Sequence, residues 1–145
     1  MIKETKFEFY SDFLSDVMVV VLFNDDLLYS QFKIFFEEFG FGFMVPGQNI
    51  IIIDGEVLIG EPDAKDILKF IEAHEITHVI LGHDGPRNEK DEIDADLGAY
   101  LLLKEKGYEK SIKILLTHFK ERHGVDFDKS MLKDIENRMY ENYNK

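Results

Sequence analysis

The apolar pattern of this chain changes period along its length. A short valine-rich run, VMVVVLF at residues 17–23, predicts a buried strand. In DLLYSQFKIFFEEFG, the residues Leu28, Phe32, Phe35, Phe36 and Phe39 recur every three or four places, and Gly40 closes the segment; this predicts a helix. NIIIIDGEVLIG (49–60) sets two β-branched runs on either side of Asp54-Gly55, the pattern of a two-residue hairpin. EPDAKDILKFIEAHEITHVILG predicts a long helix, with Pro62 and Asp63 at its start and Gly82 at its stop. Three further helices are expected: in NEKDEIDADLGAYLLLKEKG (88–107), with acidic residues first and lysines last; in YEKSIKILLTHFKERHG, ending at Gly124; and in DFDKSMLKDIENRMYENY. Strand, helix and hairpin followed by helices predicts an α+β protein, a small mostly antiparallel sheet packed on a helical layer. With 145 residues, no repeat and no Pro/Gly/Ser linker, a single domain over 1–145 is expected.

The long helix carries the pentapeptide HEITH at residues 74–78. Positions four apart lie one above the other on a helix, so His74 and His78 can aim two imidazoles at one point. Zinc accepts neutral imidazole nitrogens in a tetrahedral shell and needs no thiolate. Glu75, one residue round from His74, flanks that point without having to bind there. It is placed to take a proton from a water whose pKa zinc lowers towards about 7. With five histidines in the chain, the match is expected by chance only about 0.02 times. Ile67, Phe70, Ile71, Ala73, Thr77 and Leu81 cover most of the helix circumference. The helix is therefore expected to be central, and its charged residues need a reason to be buried.

A catalytic zinc keeps three protein ligands and an open position. Three residues after HEITH are candidates for the third. Glu92 and Asp96 share a face of the next helix with Ala95 and Ala99, whose small side chains allow close approach, and Gly98 extends that series. Glu92 would bind the metal, and Asp96 would accept a hydrogen bond from the far nitrogen of a ligand histidine. Asp84 follows His74 by ten residues, a spacing similar to the metzincin pattern, with Gly82 one place late and no methionine turn after it. His83 lies just beyond the helix end. An oxyanion donor is also expected, and His118, His123, Tyr100 and Tyr108 are available.

Composition narrows the chemistry. There is no cysteine, so disulfides and thiolate ligands are excluded, and a metal must rest on His, Asp or Glu. Hydrophobic residues make up 45% of the chain and include 13 Phe, which marks a globular protein with a substantial core. A net charge of −12 repels nucleic acid backbones, so no nucleic-acid partner is expected. The segment MIKETKFEFYSDFLSD lacks the basic start and apolar stretch of a signal peptide, and residues 17–23 are too few to span a bilayer. A cytoplasmic protein without a membrane partner is expected.

FIEAHEITH followed by EIDADLGAYLLL resembles the zinc-binding core of gluzincin metallopeptidases, closest to the ImmA/IrrE-like proteins and the minigluzincins. The resemblance covers about residues 49–104. Phe70 and Ala73 match the usual approach to HExxH, and Ala95, Asp96 and Ala99 match the glutamate helix; Gly98 stands where the family often has Phe, and Lys104 where it often has Met. The resemblance implies a zincin-like fold and one Zn2+ per chain held by His74, His78 and Glu92. It further implies Glu75 as general base, Asp96 as the partner of a ligand histidine, and a peptide or protein substrate bound as an extra strand. The strand of the 49–60 hairpin nearer the HEITH helix is the expected sheet edge. The competing expectation is a non-catalytic domain of the same fold, either tied together by zinc or metal-free and acting as an interaction module.

Overall fold

A computed structural model describes residues 6–45, 47–83 and 88–143. The protein is α+β, and its chain divides into two compact units, residues 1–64 and 65–145.

The first unit holds a four-stranded mixed sheet in the order β1-β2-β4-β3: β1 Lys6–Tyr10, β2 Met18–Leu22, β3 Gly42–Met44 and β4 Ile50–Asp54. β2 pairs parallel with β4, while β1–β2 and β3–β4 are antiparallel. The helix expected after the valine-rich strand is α1, Tyr29–Phe39, and Gly40 ends it with φ of 95°. Its Phe32, Phe36 and Phe39 pack with Leu22, Phe43 and Ile52 on one face of the sheet. On the other face, Val19, Val21, Ile51 and Ile53 are completely shut off from solvent. The two interior strands therefore read as continuous apolar runs, without alternation.

Two expectations are corrected here. Residues 49–60 do not form a hairpin. β4 ends at Asp54, and residues 55–58 make a single 3-10 turn. A tight two-residue hairpin needs positive φ at its centre, but Asp54 has φ of −74° and Gly55 is not among the positive-φ glycines. Asp54 instead accepts a hydrogen bond from the Glu56 amide at 3.0 Å. Gly55 is needed for space: a Cβ there would stand 2.7 Å from the Phe23 ring and 2.8 Å from the Leu22 carbonyl. The same dipeptide thus caps a turn. Consequently β4 is paired on both sides and cannot be the sheet edge that accepts an extra strand; the edges are β1 and β3. β1 was not expected from the pattern.

The second unit is helical: α2 Ala64–Leu81, α3 Glu89–Lys106, α4 Glu109–His123 and α5 Leu132–Tyr143. The glycines expected to stop helices do so, with φ of 75° at Gly82, 79° at Gly107 and 71° at Gly124. Asn88 caps α3, its side chain accepting from the Asp91 amide at 2.8 Å. Every residue of α2 from Phe70 to His78 is buried, polar ones included. α3 is likewise buried from Asp94 to Tyr100. Gly98 marks the closest approach of these helices: a Cβ there would collide with the Thr77 side chain and lie 2.9 Å from the Met139 sulfur of α5. No helix among the described residues is long and apolar enough to cross a membrane.

Candidate metal centre

HEITH lies in the fully buried middle of α2, so both imidazoles are removed from water. Facing them is the buried stretch of α3, brought close by Gly98. Three donor groups meet at the crossing. Nε2 of His74 is 3.2 Å from Nε2 of His78. The Glu92 carboxylate closes the triangle, with Oε2 3.1 Å from His74 Nε2 and Oε1 3.1 Å from His78 Nε2. A tetrahedral ion with arms of 2.0–2.1 Å spaces its ligands by about 3.3 Å. The individual spacings are close to that value, each histidine meeting a different Glu92 oxygen, and the donor set of two nitrogens and one carboxylate suits a divalent ion.

The other nitrogen of His74 is held firmly. Nδ1 donates to Asp96 Oδ1 at 2.7 Å, and the Asp96 side chain is only 1% exposed. This bond keeps a proton on Nδ1 and leaves the Nε2 lone pair for a cation. Asp96 is itself clamped from α4. His123 Nε2 donates to Asp96 Oδ2 at 2.7 Å, and Arg122 reaches Asp96 Oδ1 at 3.4 Å and Glu92 Oε2 at 3.3 Å. His123 Nδ1 also meets Glu89 Oε1 at 3.1 Å. Glu75 is buried beside His74 and adds to the negative field on that ring.

Charge in this cluster is strongly coupled. Burial opposes a positive His74, but hydrogen bonds to Asp96 and Glu92, with the nearby carboxylates, outweigh it and push the ring up to about 9. Burial would raise Glu92 and Asp96 as well. The histidines win: His74 and His78 hold Glu92 far below the usual carboxylate range, and His74, Arg122 and His123 lower Asp96. In the metal-free protein a proton on His74 stands where a cation's charge would be. The folded pKa of this ring is above its unfolded value of about 6.5. Its contribution to stability is then complete below about pH 6.5 and is lost as pH rises through about 9. The two lowered carboxylates contribute above about pH 4 and lose that contribution as pH falls. Melting temperature in a chelator should accordingly peak in the mildly acidic range and decline between about pH 7 and 9. Thermal melts across that range check this; a flat profile would contradict it.

Of the candidates for a third ligand, Glu92 is the one brought to the two Nε2 atoms. His83 faces the other nitrogen of His78, with Nδ1 to Nδ1 at 2.9 Å, so it is turned away from the triangle. Asp84 lies outside the described residues. Of the four oxyanion candidates, His123 joins the cluster, bonded to Asp96. His118 is half-exposed and 3.5 Å from Glu121. The Tyr100 ring lies 4.8 Å from that of Phe127, and Lys69 stands over Tyr108.

Sequence reasoning missed Arg122 altogether. At the end of α4 it reads as an ordinary cation complementing the helix dipole. The available signal is charge balance: an acidic helix start bearing Glu89, Asp91, Glu92, Asp94 and Asp96, which runs into the buried stretch from Asp94, needs cations from elsewhere in the fold. Comparison of the chain with protein-family models, with curated proteins and with solved structures finds no match.

Proposed function

We propose that this chain is a zinc-dependent metallopeptidase of gluzincin type with a zincin-like fold, acting on a peptide or protein in the cytoplasm. Nucleic acid and membrane are not partners in this reading. The observation that carries it is the convergence of His74, His78 and Glu92, each pair 3.1–3.2 Å apart, with Glu75 buried in the same stretch of α2.

His74, His78 and Glu92 would hold the ion, and three protein ligands leave a fourth position for water. A bound zinc ion supplies an acidified water and a positive charge that polarises a carbonyl. Glu75 takes the proton from the attacking water and delivers it to the departing amine. Asp96 keeps the His74 ring in the tautomer that offers Nε2 outward. Arg122 pairs with both carboxylates behind the site and His123 donates to Asp96, which keeps two buried anions tolerable beside the ligand histidines.

Calorimetric titration with zinc is expected to give one ion per chain, and a peptide-library digest with the loaded protein is expected to give cleavage that a chelator stops. Absence of zinc binding would end this reading. One zinc per chain without cleavage of any peptide would favour the non-catalytic, zinc-tied alternative.

A further inference from the structure

His78 presents Nε2 to the donor triangle and Nδ1 to a second histidine. His83 Nδ1 is 2.9 Å away, and His83 Nε2 faces Asp91 Oδ1 at 3.5 Å. His83 follows Gly82, whose positive φ turns the chain back at the end of α2. Its amide bonds the His78 carbonyl at 2.9 Å, so backbone and side chain both return to the same residue. Asp91 lies in the first turn of α3, one residue before Glu92.

Proton placement in this chain of groups is decided at one end. A neutral imidazole carries a single N–H. If His78 Nε2 gives its lone pair to a cation, its proton is on Nδ1 and points at His83. His83 Nδ1 must then be the acceptor, and the His83 proton belongs on Nε2, on the side of the Asp91 carboxylate 3.5 Å away.

The donor atoms of His83, Asp91 and Asp94 are also close enough together to suggest a second cation site. The same bookkeeping argues against it. A cation on His83 Nε2 would put the His83 proton on Nδ1 and force the His78 proton onto Nε2, against the first site. Asp94 Oδ2, moreover, is already 3.1 Å from the Arg138 guanidinium.

We propose that His83, backed by Asp91, is a positioning residue that fixes the tautomer and ring orientation of His78 and so sets the metal affinity of the site. This rests on the metal reading above. Histidine ligands ordinarily have their second nitrogen held by a carboxylate or carbonyl; here an imidazole is interposed between ligand and carboxylate.

The test is zinc calorimetry on the full chain. His83→Leu removes the acceptor and should weaken binding by about 10–100-fold at an unchanged stoichiometry of one. His83→Asn places an oxygen near the lost Nδ1 and should recover most of the affinity. Asp91→Ala should show a smaller loss in the same direction. Nitrogen-15 NMR of the zinc-loaded wild type should find the His83 proton on Nε2, a readout that needs no variant to fold. Undiminished affinity in His83→Leu, or a proton on His83 Nδ1, would overturn the inference and leave the metal reading standing. Two zinc ions per wild-type chain, one lost in the variant, would establish the second cation site instead. A wild type that binds no zinc removes both.

Discussion

Glu75→Gln should bind one zinc per chain with wild-type affinity and hydrolyse peptide about 10²–10⁴-fold more slowly, or not detectably. The substitution is nearly isosteric. Glu75 belongs to the buried middle of α2, and the amide keeps the volume there while giving up the proton-accepting charge. Glu75 is not part of the donor triangle, which is made by His74, His78 and Glu92. Loss of rate with retained zinc would therefore separate proton transfer from metal holding. Steady-state kinetics and metal analysis on the same preparation measure both. Retained activity would remove Glu75 as the base and sink the proposed mechanism, even if zinc still bound.

Asp96→Ala is expected to be the most destructive substitution for the fold. The Asp96 side chain is almost wholly buried and receives His74, His123 and Arg122. Removing it strands a guanidinium and two imidazoles around an empty volume. Breaking a buried charge network by deleting one partner costs about 3–5 kcal/mol. Arg122 is about one-third exposed and can recover part of its hydration, which places the expectation near the lower end. A fall in melting temperature of roughly 10 °C follows for a chain of this size. Asp96→Asn keeps the shape but removes the charge. It should lose less stability, yet still weaken zinc by about 10–100-fold, because the His74 tautomer is no longer enforced. Equal melting temperatures for wild type and Asp96→Ala would show that the network contributes little.

Much of this centre was legible before any coordinates. A helix with both ends marked placed His74, Glu75 and His78, and the small residues Ala95, Gly98 and Ala99 marked the face of α3 on which Glu92 and Asp96 lie. These signals are local and periodic. What was illegible depends on tertiary approach. Arg122 and His123 reach Asp96 and Glu92 across 26 to 30 positions of sequence, and nothing in their neighbourhood announces that. His83 is close in sequence, but its direction depends on how the chain leaves Gly82. The Asp54-Gly55 error has a different origin. The dipeptide satisfies two local solutions, a tight hairpin or an Asp-capped turn, and Phe23 packing over Gly55 is a long-range fact that selects the second. The edge strand Lys6–Tyr10 does not stand out although KFEFY alternates, because three of its five residues are exposed and none is buried.

The bare Cα hydrogen of Gly98 has an evolutionary consequence. Thr77 and Met139 already fill the room that a side chain at 98 would require, so one is tolerated there only where these neighbours change with it. A larger residue at 98 fits only where Thr77 and Met139 give way. The effect of a substitution at 98 therefore depends on which residues stand at 77 and 139, a form of epistasis set by the helix crossing.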